Sequence, residues 1–326
     1  MLPSRTTRYY ASLAESRDPD RDPIAAQFVP RPEEEELLPY ESSDPLADGQ
    51  YRVTTRLIHH YRDRALLLVN DRCASYCRHC FRRHFTGGDT GRLSPRELEE
   101  ALGYLEGRPE IQEILLSGGD PLMLPDGELD TIIRALRGVR EDFVIRIATR
   151  VPVVQPRRIT RKLASVLAHS GSGAVWIVIQ ANHPRELTEE FREAIARLLE
   201  QGLPVVNQSV LLKGVNDRVD VLEALCRGLL RCRVKPYYLF QGDLAAGTAH
   251  FRTSIERGLD IMEELAGRIS NLALPRYAVD LPGGAGKMEL TRSALIRVEE
   301  SFYVLRGPDG REHYYPKEDE EECRTQ

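Results

Sequence analysis

Three cysteines, Cys73, Cys77 and Cys80, stand at spacings of four and three residues just after an apolar run at 65–69. Three thiolates can hold three irons of a 4Fe–4S cube and leave the fourth iron open to bind and reduce something, whereas a fully ligated cluster mainly passes electrons. A structural zinc site needs four ligands, usually in two close pairs. His79 or His84 could add a fourth, but no second pair exists. A disulfide framework does not fit, because Cys226, Cys232 and Cys323 are scattered and nothing in the chain suggests secretion. A second chemical group is the run Leu281-Pro-Gly-Gly-Ala-Gly-Lys287-Met288. It fails as a nucleotide phosphate loop, since the first glycine would fall at Leu281 and Met288 stands where Ser or Thr should touch magnesium. A lysine beside a flexible glycine loop can instead form a Schiff base with pyridoxal phosphate, or it can be a solvated lysine on a surface turn. The third group is Ser117-Gly118-Gly119-Asp120-Pro-Leu. Its paired glycines let backbone approach a ligand with no Cβ in the way, or make a tight turn.

These groups need elements to hold them. From residue 64 onward, apolar strand candidates at 65–69, 113–116, 143–148, 175–179, 205–212 and 234–240 alternate with amphipathic stretches at 94–106, 127–138, 157–169, 185–201, 217–230 and 252–268. Ser94-Pro95-Arg96-Glu97 reads as N-cap, proline at N1 and glutamate at N3. Six βα units predict an α/β fold, with a parallel sheet closed or partly closed into a barrel. In such barrels the chemistry sits at the C-terminal ends of the strands. The cysteines follow strand one, Ser117 to Asp120 follow strand two and Asp243 follows strand six. Residues 1 to about 50 are rich in Asp, Glu, Arg and Pro. They read as an extended or helical surface arm with Tyr9, Tyr10, Phe28, Leu37 and Leu38 as anchors, although the composition also allows disorder.

The 326 residues carry a net charge of −5, which gives no strong pull toward nucleic acid. No run approaches the roughly 18 apolar residues of a membrane span, and the N-terminus lacks the apolar core of a signal peptide. A cytoplasmic, reducing location is expected, which suits a labile cluster.

The cysteine spacing resembles the signature of radical S-adenosylmethionine enzymes, and with the lysine loop it resembles the lysine 2,3-aminomutase family. The likeness runs along nearly the whole chain: YYASL at 9–13, residues 59–64, CASYCRHCFRR, SGGDPL, NHP at 182–184, residues 207–217, 237–243 and 247–252, and VDLPGGAGK at 279–287. It implies a partial (βα)6 TIM-like barrel of the radical S-adenosylmethionine type over 51–270, an N-terminal arm over 1–50, and the Lys287 loop with a C-terminal extension over 271–326.

The resemblance also implies roles. Cys73, Cys77 and Cys80 hold the cluster, whose free iron chelates S-adenosylmethionine. Ser117, Gly118, Gly119 and Asp120 lie at its methionyl amino group, and Gln208 near its adenosyl group. Lys287 carries pyridoxal phosphate as an internal aldimine, Arg64 lies near its phosphate, and Phe240 against its ring. The family usually has another arginine four residues before Arg64, where this chain has His60. Arg82 grips the substrate α-carboxylate, and Asp243 and Asp280 bind the distal ammonium of L-lysine. A 5′-deoxyadenosyl radical then moves the α-amino group to the β-carbon through the external aldimine, giving β-lysine. Each of these residues also has a plainer reading, as a core aromatic, a loop aspartate or a solvated charge. The resemblance implies a one-electron reductant of flavodoxin or ferredoxin type, a homo-oligomer, and no nucleic-acid or membrane partner. Only 39 residues follow Lys287, with Cys323 as their one cysteine, so no zinc is expected there. Arginine 2,3-aminomutase, a lysine 2,3-aminomutase serving elongation factor P, and a non-catalytic iron–sulfur protein are the alternatives.

Overall fold

The computed structural model describes residues 2–88, 90–292, 295–306 and 311–316; Cys323 lies outside them. Nine strands form one sheet in chain order. They are β1 (Leu57–Tyr61), β2 (Arg64–Asn70), β3 (Glu113–Gly118), β4 (Val144–Thr149), β5 (Val175–Ile179), β6 (Val205–Val210), β7 (Lys235–Phe240), β8 (Arg276–Leu281) and β9 (Gly286–Glu289). Strands β2 to β8 run parallel, and β1 and β9 pair antiparallel at the two ends. β1 and β9 are not neighbours in the sheet, so the barrel is nearly closed: this is the expected partial (βα)6 TIM-like barrel, extended by one more parallel strand. Its strands read as apolar runs because helices cover the outside and side chains fill the inside. Ile114, Leu116, Ile145, Ile147, Ile177 and Ile179 are fully buried.

Helices α2 (Pro95–Glu106), α3 (Asp126–Val139), α5 (Arg161–His169), α6 (Glu189–Glu200), α7 (Val219–Arg231) and α8 (Ile255–Arg268) make the six crossovers, with α1 (Arg8–Ser12) in the arm and α4 (Val151–Val154) after β4. Four of the six crossover starts are fixed by side-chain oxygens accepting backbone N–H groups, from Ser94, Thr160, Thr188 and Ser254. These caps explain why α5, α6 and α8 begin later than the apolar pattern suggests. Likewise β6 ends at Val210, because the Asn216 amide captures Leu212 N–H and Val210 C=O. Strands β10 (Leu295–Val298), β11 (Phe302–Arg306) and β12 (Glu312–Pro316) form a separate antiparallel sheet.

The arm is ordered and tied to the barrel. Tyr10 is fully buried and packs edge-on against Phe28. Tyr76 N–H donates to Arg5 C=O and Arg78 N–H to Gln27 C=O, both at 2.9 Å. Glu34, from the acidic run, pairs with both Arg78 and Arg83. One expected anchor fails: Leu37 is 69% exposed. Charge, not apolar burial, fixes its stretch of chain, through Glu34 and through the Glu41–Arg252 pair.

Candidate active site

Every residue to which the resemblance gives a cluster, cofactor or substrate role lines a single cavity of about 480 Å³. That volume lies within the usual range for small-molecule sites. The loop after β2 carries Cys73, Cys77 and Cys80, none in a disulfide. Burial pushes the Cys80 thiol up to about 11 and Cys73 well above its ordinary value, so a metal is needed to draw them out as thiolates at neutral pH. Among the described residues, the one group of three His, Cys, Asp or Glu side chains with ligand atoms within 4.8 Å of one another is Asp44, Asp48 and His84. At least one pair of the three sulfurs is therefore more than 4.8 Å apart, wider than the roughly 3.8 Å separations that tetrahedral Zn–S bonds demand. Cys226 packs in the core on α7, and Cys232 lies at that helix's end. The donor set thus fits a cluster held by three thiolates.

The segment after β3 is shaped by the cysteine loop. A Cβ on Gly119 would run into the backbone of Arg72, so this glycine is required by close approach of two chain segments. Asp120 is buried and spends its carboxylate within the protein, accepting from Thr149 Oγ1 at 2.7 Å, Arg150 N–H at 2.7 Å and Leu122 N–H at 3.0 Å. It ties the exits of β3 and β4 together. Gly119→Ala is expected to cost roughly 1–3 kcal/mol by overpacking and to lower iron content after anaerobic reconstitution, read by urea melts and iron counts.

The same cavity holds a charged group. Lys287, on β9, faces β8 and contacts both carboxylate oxygens of Asp280 at 2.8 and 2.7 Å. Its ammonium stands 3.8 Å from the centre of the Phe240 ring and 5.4 Å from that of Tyr238. Burial lowers the Lys287 pKa, against the pull of Asp280 and Asp243. Asp243 is raised to about 7, first by burial and then by the charge of Asp280, with Lys287 and Arg82 opposing. A half-buried neutralisable lysine beside an aromatic face fits pyridoxal phosphate. Arg64 lies over the Tyr61 ring, 4.0 Å from its centre, and lines the same cavity.

Arg82 is buried. Its Nε and Nη2 both lie 3.0 Å from Asp48 Oδ2, and Nη1 lies 3.3 Å from Ser117 Oγ. Gln208 reaches the cavity from β6. His60, the departure from the family arginine, bonds Gly284 C=O through Nε2 at 2.7 Å and stacks on Tyr51. A Cβ on Gly284, whose φ is +75°, would strike the Tyr51 ring. His60 and Tyr51 thus clasp the glycine loop that delivers Lys287, leaving Arg64 as the phosphate candidate.

Sequence reasoning missed Asp48, Tyr51 and Arg150. Arg150 carried a readable signal, since it follows directly on a barrel strand. Asp48 and Tyr51 lie in polar, turn-rich chain with no such signal.

Comparison with known proteins bears on this geometry. The radical SAM superfamily model matches residues 67–225, and the model described as lysine-2,3-aminomutase matches 262–326. An L-lysine 2,3-aminomutase of Methanococcus maripaludis is 40% identical over 95% of this chain and 71% of its own length. A putative L-lysine 2,3-aminomutase of Aquifex aeolicus is 43% identical over 89% of this chain and 78% of its own. A glutamate 2,3-aminomutase of Clostridioides difficile is 37% identical over 93% and 71%. The barrel is of the radical S-adenosylmethionine type.

Proposed function

The chain belongs to the lysine 2,3-aminomutase family, and we propose from that premise that it moves the α-amino group of L-lysine to the β-carbon. It is an isomerase of the radical S-adenosylmethionine superfamily with aminomutase activity, working with a 4Fe–4S cluster, S-adenosylmethionine and pyridoxal phosphate. The single observation supporting lysine is the carboxylate pair, Asp243 and Asp280, in one cavity, where burial first and the charge of Asp280 second raise Asp243 to about 7. Two carboxylates in one partly buried place favour a cationic group between them. An acidic side chain such as that of glutamate would meet repulsion there.

When bound, the cluster and S-adenosylmethionine would supply a carbon radical that removes and returns a hydrogen atom, and the pyridoxal group, joined to the substrate nitrogen, would delocalise the unpaired electron while that nitrogen moves. The chain's residues do the rest. Cys73, Cys77 and Cys80 hold three irons. The backbone of Ser117 to Gly119, braced by Asp120, and the Gln208 side chain border S-adenosylmethionine. Lys287 anchors the pyridoxal carbonyl, for which its amine must be neutral, and burial helps it shed its proton. Phe240 lies against the ring and Arg64 offers a cation to the phosphate. Asp48 holds two nitrogens of Arg82, which fixes the guanidinium and directs Nη1, beside Ser117, to the substrate α-carboxylate. The reading also requires a one-electron donor of flavodoxin or ferredoxin type.

A pH dependence follows from Asp243. Below about pH 7 it is protonated and lends no charge to a distal ammonium. The KM for lysine is expected to fall as pH rises through 7, and Asp243→Asn to flatten that profile. Stability carries the opposite sign. An acid with a folded pKa above its unfolded value of roughly 3.9 keeps an extra native proton between about pH 4 and 7. Parent stability is therefore expected to fall across that window and level off above it. Urea melts of parent and Asp243→Asn measure this, and identical slopes would remove Asp243 as the group responsible. Product identification from lysine, arginine and glutamate tests the reading as a whole.

A further inference from the structure

We infer that Arg150 is a positioning residue that sets the electron affinity of the iron–sulfur cluster through Cys77 and links it to the N-terminal arm. The inference rests on the reading that Cys77 is a cluster ligand. Arg150 follows β4 and is 7% exposed. Its Nη1 donates to Cys77 Sγ at 2.8 Å. Its Nη2 donates to Tyr10 Oη at 2.9 Å, Gln27 Oε1 at 2.5 Å and Glu186 Oε1 at 2.7 Å. Glu186 is fully buried and accepts from Tyr10 Oη at 2.6 Å and from Asn182 N–H at 2.6 Å. Nε of Arg150 is buried with no partner within the protein, so the guanidinium keeps a donor beyond this network.

A buried cation is costly unless compensated. Glu186 compensates Arg150, and neutral Tyr10 and Gln27 fix its direction. Two of its partners, Tyr10 and Gln27, come from the arm and one from the loop after β5, so a single side chain joins three segments to Cys77. Hydrogen bonds and positive charge at a ligating sulfur favour the reduced cluster, which carries one more negative charge. A fixed guanidinium against one sulfur therefore eases uptake of the electron. It also explains why so polar an arm is buried at Tyr10 and Gln27: the arm completes the environment of the cluster.

The test is an anaerobic redox titration of the reconstituted cluster, followed by electron paramagnetic resonance, in the parent, Arg150→Gln and Arg150→Lys, with iron and sulfide counted in each. Arg150→Gln is expected to shift the midpoint negative, so that the ratio of reduced to oxidised cluster at a fixed solution potential falls roughly tenfold. Arg150→Lys keeps the charge but loses the fork and is expected to fall between the two. A purely structural role would lower thermal stability or iron content and leave the midpoint unchanged. A parental midpoint in either variant with full iron content overturns the inference. Cys77→Ala, which should lose the cluster, tests the underlying ligand assignment separately.

Discussion

Lys287→Ala is expected to abolish aminomutase activity and the visible absorbance of enzyme-bound pyridoxal phosphate, while iron and sulfide content stay at the parental level. The separation follows from position: Lys287 is on β9, beside Asp280 and the Phe240 ring, whereas the cysteines are on the loop after β2. Its attachment lets the cofactor be delivered to the substrate amine by exchange of one amine for another. Borohydride reduction of the parent followed by peptide mapping should place the pyridoxyl group on Lys287. A label on Lys213 or Lys235 would remove Lys287 from the mechanism. Lys235 is a poor rival, because it stands at the start of β7, does not line the cavity, and its ammonium donates to the carbonyls of Leu272 and Leu274.

Asp280→Asn and Asp243→Asn carry the second large effect. If both carboxylates meet the distal ammonium, either change leaves that cation short of a partner, at roughly 2–5 kcal/mol in kcat/KM with lysine, or about 30- to several-thousand-fold. Asp280 also holds Lys287, so Asp280→Asn alone would mix two causes. The visible absorbance of bound pyridoxal phosphate separates them: a defect in Lys287 placement lowers it, while loss of the ammonium site leaves it and raises the KM for lysine. Asp243 acts on Lys287 through its charge alone, whereas Asp280 also bonds it, so Asp243→Asn disturbs Lys287 less. Arg82→Ala should weaken every amino acid, since all bring an α-carboxylate. Parental lysine kinetics in both aspartate variants would return them to the status of loop residues.

The sequence was most legible where period and chemistry coincide. The six apolar runs lie in six of the seven parallel strands, because burial on both faces leaves little room for polar residues. β8 was missed because its run, Arg276-Tyr-Ala-Val-Asp-Leu, contains Asp280 at the cavity. A cavity-lining aspartate broke the apolar signature of its own strand. β1 was hidden in the same way by His59 and His60. The candidate residues could be named from motifs, but their partners could not. Asp48 on Arg82, Tyr51 under the glycine loop and Arg150 on Cys77 are contacts across 34, 233 and 73 residues of sequence. Gly119 was read as a place for a ligand to approach or as a tight turn; the approach of the Arg72 backbone to it, across 47 residues of sequence, was not legible. The arm's composition allowed disorder, yet four of its charges, at Asp22, Glu34, Glu41 and Asp48, are spent on arginines of the barrel.

The central claim is that this cavity rearranges the α-amino group of a cationic amino acid. The direct measurement is anaerobic incubation of the reconstituted protein with S-adenosylmethionine, pyridoxal phosphate, a one-electron reductant and, separately, L-lysine, L-arginine and L-glutamate, followed by chromatography of the products. β-Lysine from lysine, with little or no β-amino acid from the other two, is the expected result. β-Glutamate as the main product, or no β-amino acid from any of the three by protein with full cluster and cofactor, would contradict it.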